Sequence, residues 1–118
     1  MSEHVMYIAA KKLPPGKLAA QVGHAVLGCY RLADDEKIKL WLYKDDRGDG
    51  GTQAKVVLRI EGDSDVDAIV AYCRAAKIPY YVVIDAGRTV VEPGTMTAIA
   101  WGPVPKDEDG PWKVMKLY

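Results

Sequence analysis

The sequence predicts a single-domain α/β sandwich, and three observations carry that prediction. Short runs rich in apolar, β-branched or aromatic residues recur at positions 5–10, 55–61, 80–84 and 96–101, the residue types that suit a pleated, half-buried surface. Between them lie stretches whose apolar residues return every three or four positions, the period of a helix that packs by one face. With 118 residues, 49% of them hydrophobic, the chain can bury one real core and is too short for two ordinary domains. One domain over residues 1–118 is expected.

The elements follow in order. Residues 5–10, Val-Met-Tyr-Ile-Ala-Ala, are almost continuously apolar and suit a buried strand that delivers Lys11 and Lys12 to a sheet edge. The turn Pro14-Pro15-Gly16 stops it, and from Pro15 to about Ala33 the side chains of Leu18, Val22, Ala25, Val26, Cys29 and Ala33 share one face of a helix. Asp34-Asp35-Glu36 starts a second, shorter helix with Ile38, Trp41 and Leu42 as its apolar stripe, the acids suiting the positive end of the macrodipole. A polar, glycine-rich loop spans residues 45–53, and residues 55–61 form the second strand. Asp63-Ser64-Asp65 caps a third helix carrying Val66, Ile69, Val70 and Cys73. Strands at 80–84 and 96–101 enclose a turn-rich segment holding Asp85, Gly87, Arg88 and Pro93-Gly94, and residues 114–118 are read as an added edge strand.

Composition narrows the function. Sixteen basic residues balance sixteen acidic ones, so the whole body is not that of a generic nucleic-acid binder, and any such contact must come from a local basic patch. No apolar run approaches the ~20 residues that cross a bilayer, and the start lacks the basic-then-apolar pattern of a secretory signal; a soluble, cytoplasmic protein is expected. Cys29 and Cys73 lie in helical stretches without zinc or redox spacing and are expected to be packed, reduced thiols.

The first helix carries an unusual polar arc. At about 100° per residue, Lys17, Gln21, His24 and Gly28 align, with Arg31 beside them and the small residues Ala20 and Gly23 along the margin. Lys17 stands in the first turn, where the macrodipole disfavours a cation by about 0.3–1 kcal/mol, so an anion or a developing oxyanion is the natural partner. A surface lysine reaching solvent is the other reading, as are a structural histidine at His24 and a surface amide at Gln21. Gly16-Lys17 is not a Walker loop, because the earlier glycine and the following Ser or Thr are missing.

Asp85 directly follows an apolar strand, which places it at the carboxyl end where open α/β sheets gather ligand-binding groups. There it can orient a water or accept its proton, or simply cap the Ala86-Gly87 turn. Arg88 offers the forked donors that suit phosphate, and Thr89 and Thr95 offer hydroxyls, Thr95 to a carbonyl, a ribose oxygen or its own backbone. Lys11, Lys12, Lys17 and Arg88 would make a basic margin on a neutral domain. Arg47-Gly48-Asp49 is an incidental tripeptide, and the loop around it lacks the ligands of a calcium site.

The Gly16–Ala25 segment, Asp85-Ala86-Gly87-Arg88-Thr89, Pro93-Gly94-Thr95 and Ile99-Ala100-Trp101-Gly102-Pro103, in that order, resemble the signature of the type II peptidyl-tRNA hydrolases. The resemblance implies an α/β fold with a four-stranded mixed β-sheet flanked by helices on both faces. It also implies hydrolysis of the ester between a peptide and the 3′-terminal ribose of tRNA, without metal or organic cofactor, commonly by a homodimer. Carried over, Lys17, Gln21, His24, Asp85 and Thr95 are the catalytic candidates, and Lys11, Lys12, Arg88 and Thr89 the candidates for holding tRNA. Asp85 would orient or deprotonate water, Lys17 would stabilise the oxyanion, Gln21 and Thr95 would hold the acceptor end, and His24 would assist proton transfer to the ribose. The sequence departs from the family in Lys11-Lys12-Leu13-Pro14-Pro15, which replaces a longer loop bearing an Arg and an Asp. Two other readings stand beside hydrolysis of peptidyl-tRNA: a non-catalytic RNA- or protein-binding module on the same fold, and a hydrolase of small acyl esters.

Overall fold

The first apolar run forms β1 (His4–Ala10), buried along almost its whole length, as a strand covered on both faces must be. The computed structural model describes residues 3–85 and 94–118. After β1 come α1 (Pro15–Leu32), α2 (Asp35–Leu42), β2 (Ala54–Arg59), α3 (Asp63–Ala76), β3 (Tyr80–Ile84) and β4 (Met96–Pro105). The sheet has four strands in the order β2-β1-β4-β3. β1 runs parallel to β2 and antiparallel to β4, and β3 is antiparallel to β4, so the sheet is mixed as expected.

Alternation along β1 divides the interior into two cores. Met6, Ile8 and Ala10 face α1 and α2, meeting Ala25, Cys29, Ile38 and Trp41. Val5, Tyr7 and Ala9 face the other way, toward Ile69 and Cys73 of α3 and Trp112. Helices therefore cover both faces. On the α3 side Tyr7 stacks on Trp101 at 5.7 Å between ring centroids, and Trp112 lies 5.5 Å from Tyr7 and 5.4 Å from Trp101. The indole N–H groups of Trp101 and Trp112 are buried with no acceptor among the described residues, a cost of about 1–3 kcal/mol each set against the ~150–250 Å² that an aromatic ring removes from water.

Local chemistry explains the ends of the elements. Asp34 caps α2 by accepting from the Lys37 N–H at 3.0 Å, and Asp65 accepts from the N–H groups of Glu61 and Gly62 ahead of α3. Trp41 donates its indole N–H to the Ala54 carbonyl at 2.8 Å, tying α2 to β2. Both cysteines are free and buried; burial pushes each thiol up to about 12, which keeps them protonated and unreactive.

Two elements differ from the sequence reading. β4 does not stop at Trp101 but continues to Pro105, because Gly102 adopts φ 111°, where a Cβ would come within 2.9 Å of the Val5 carbonyl. The added edge strand at residues 114–118 is not formed. Pro111–Val114 is instead a 3-10 helix that turns to bury Trp112, and the tail meets β2 over a short stretch, with a bridge between Leu58 and Leu117 and the Arg59 and Tyr118 N–H groups donating to Lys116 and Val57 at 2.9 Å each.

The close-approach glycine of α1 is Gly28. A Cβ on Gly28 would overlap the Tyr81 ring, whereas Gly23 faces open space. Gly28→Ala is therefore expected to lower the free energy of urea unfolding by about 1–3 kcal/mol through overpacking, while Gly23→Ala leaves it unchanged or raises it by up to about 1 kcal/mol through helix propensity.

Candidate active site at the sheet edge

β1, β2 and β3 all end, and β4 begins, along one edge of the sheet. Backbone bonds lock this edge: Ile60 N–H donates to Ala10 at 3.0 Å, Lys11 N–H to Thr97 at 3.0 Å, Asp85 N–H to Thr95 at 2.9 Å and Gly94 N–H to Asp85 at 3.0 Å. Lys11, Asp85, Thr95 and Thr97 are thereby fixed as near neighbours across adjoining strands. Asp85 is only 4% exposed, so its carboxyl group sits in a buried position at the end of β3.

α1 starts four residues after β1 ends, and the turn between them is short because Pro14 and Pro15 redirect the chain at once. Tyr118 holds this turn. Its hydroxyl accepts from the Leu13 N–H at 2.9 Å and donates to the Lys11 carbonyl at 2.9 Å. Lys17 follows in the first turn of α1, which has no acidic residue and no side-chain cap. Its charge and the helix terminus together make this a place of positive potential.

One helical turn later Gln21 is buried, and its Oε1 accepts the Thr97 hydroxyl at 2.8 Å. The sequence alone offers Gln21 as a surface amide on the polar arc of α1 and gives Thr97 no role. The signal was present: a lone hydroxyl inside the apolar strand 96–101 must find a partner when buried. This bond ties the start of α1 to β4 at the same edge that carries Asp85. With its oxygen engaged, Gln21 keeps its amide N–H groups as the donors it can offer a ligand.

His24 follows one turn along α1. It is exposed and lines a hollow with Leu27, Gly28, Arg31, Tyr81, Val83 and Ile84, one turn farther from the Gln21–Thr97 contact. Lys12 is exposed and Lys11 half-buried beside the edge. Arg88 and Thr89, with Gly87 and Pro93, lie outside the described residues. Among the described residues no cluster of His, Cys, Asp and Glu could hold a metal ion, and no helix is long and apolar enough to cross a membrane.

Fold and site together define an α/β protein whose polar groups gather at the carboxyl ends of its strands beneath the start of one helix. Residues 5–113 match the family model described as peptidyl-tRNA hydrolase PTH2, and the chain belongs to that family. Relatives called peptidyl-tRNA hydrolase include one from Halobacterium salinarum, 41% identical over 90 residues covering 76% of this chain and 74% of its own. One from Haloquadratum walsbyi is 36% identical, covering 87% and 86%, and one from Pyrobaculum aerophilum is 38% identical, covering 91% and 88%.

The Gln21–Thr97 contact gives a direct stability test. Thr97→Val keeps the shape but leaves a buried amide oxygen unpaired, and a loss of about 1–3 kcal/mol is expected in denaturant unfolding. An unchanged midpoint would show that the contact does not hold the helix.

Proposed function

We propose that this chain hydrolyses the ester joining a peptide to the 3′-terminal ribose of tRNA, with Lys17 and Asp85 at the centre of the reaction. The family membership supports the activity. The observation that carries the assignment of residues is the Gln21–Thr97 hydrogen bond, because it joins the helix start bearing Lys17 to the strand edge bearing Asp85.

In this reading Asp85 orients a water and takes its proton as the water oxygen bonds to the ester carbonyl carbon. Lys17 and the start of α1 stabilise the negative charge that develops on the carbonyl oxygen. The bond to the ribose oxygen then breaks, and a proton returns to that oxygen. Gln21, through its amide N–H, and Thr95 hold the acceptor end, while Lys11, Lys12, Arg88 and Thr89 supply contacts to tRNA phosphates. His24, one turn beyond Gln21 on the same face of α1, would assist that return of the proton to the ribose oxygen.

The reaction is read as needing neither metal nor organic cofactor, and one domain carries all of it. The cytoplasm, where peptidyl-tRNA arises, is the proposed compartment. A mainly apolar groove of about 440 Å³ between α1 and α2, lined in part by Val22, Val26, Tyr30, Trp41 and Leu42, supports a homodimer built on that face.

Incubating the purified protein with peptidyl-tRNA should release free tRNA and peptide. Binding without release would instead identify a non-catalytic module. Lys17→Ala is expected to slow release by about two to three orders of magnitude, the effect of removing one oxyanion donor, with circular dichroism unchanged. A rate near that of the parent protein would remove Lys17 from the mechanism.

A further inference from the structure

Beyond His24, the polar arc of α1 continues into a trough that the reaction centre does not use. β3 is the outer strand of the sheet, and α1 lies along it. Two hollows adjoin there. One, of about 270 Å³, is lined by His24, Leu27, Gly28, Arg31, Tyr81, Val83 and Ile84. The other, of about 210 Å³, shares Gly28, Arg31 and Tyr81 with the first and ends at Leu32. The absence of a side chain at Gly28 lets the Tyr81 ring lie against the helix, and that ring remains 40% exposed.

We propose that this trough binds the single-stranded nucleotides at the 3′ end of the tRNA, with Arg31 on a phosphate and the exposed part of Tyr81 against a base. The proposal rests on the hydrolytic reading above and extends its substrate contacts. The first support is position. Ile84 immediately precedes Asp85, and His24 is one turn from Gln21, so the trough opens from the proposed centre and runs about 10 Å along the helix from His24 to Arg31.

The second support is charge. Among the described residues the lining includes a guanidinium and an imidazole and no carboxylate, on a chain whose formal charge is balanced. That suits an occupant with one negative charge per unit. A nascent peptide has no such constant charge, and its side chains vary, so a fixed cation beside an aromatic ring gives it nothing to recognise. Guanidinium on phosphate and ring on base is the general chemistry of single-strand binding.

The test compares two substrates in parent and Arg31→Gln proteins: peptidyl-tRNA, and peptidyl-adenosine, which keeps the ester and the peptide but lacks every phosphate. With peptidyl-tRNA, Arg31→Gln should raise KM about tenfold with kcat unchanged, the loss of one charged hydrogen bond. The salt dependence of log kcat/KM should also become shallower by about 0.7, one single-strand phosphate contact. Arg31→Lys, which keeps the charge, should retain that slope. Peptidyl-adenosine should be cleaved equally by all three proteins.

Equal impairment with both substrates would place the peptide in the trough and overturn the proposal, as would an unchanged KM for peptidyl-tRNA. Failure of the parent protein to cleave either substrate would refute the hydrolytic reading itself, and so separates the two claims.

Discussion

One buried hydrogen bond, from the Thr97 hydroxyl to the Gln21 amide oxygen at 2.8 Å, fixes where the first helix meets the sheet. Neither group reaches water freely, Gln21 being 8% and Thr97 0% exposed, so each needs the other and the helix cannot slide without leaving a buried polar atom unpaired. Apolar packing of Ala25 and Cys29 presses α1 onto the sheet but is not directional. The hydrogen bond, with the Tyr118 hydroxyl holding the turn at Lys11 and Leu13, adds the register. It decides which helical turn stands over the strand ends.

The rest of the architecture serves that placement. A central β1 buried on both faces gives a stiff floor, and the aromatic cluster of Tyr7, Trp101 and Trp112 anchors the far side through α3 and the 3-10 helix. Three strands deliver their carboxyl ends to one edge, where backbone carbonyls and amides are already paired. Lys17, at the positive end of a helix with no acid in its first turn, is poorly placed for stability and well placed for an anion.

Much of this was legible in the sequence because burial and period are local signals. The helical spacing of Leu18, Val22, Ala25 and Cys29 located α1, and the β-branched runs located all four strands. What failed depended on long-range partners. Gln21 reads as a surface amide until Thr97 is brought beside it from 76 positions away. The segment 114–118 has strand-like composition, but burial of Trp112 in a 3-10 helix takes up its start, and only Lys116–Tyr118 reach β2. The extension of β4 passes through Gly102, whose positive φ and close approach to the Val5 carbonyl leave no room for a Cβ. At the site, the structure brings Lys11, Asp85, Thr95 and Thr97 to one edge, and His24 lines a hollow with Tyr81 and Ile84 one turn beyond Gln21.

If Lys17 and Asp85 act on one ester, the water activated by the carboxylate attacks the same carbonyl whose oxygen the ammonium stabilises. The two groups then work as a unit, and each is of little use without the other. The decisive measurement is a double-mutant cycle on single-turnover cleavage of peptidyl-tRNA, using Lys17→Ala, Asp85→Asn and the two combined. A shared centre predicts that the double variant is about as slow as the slower single variant. Losses that multiply, leaving an interaction energy within about 0.5 kcal/mol of zero, would show that the two residues act independently and would contradict it.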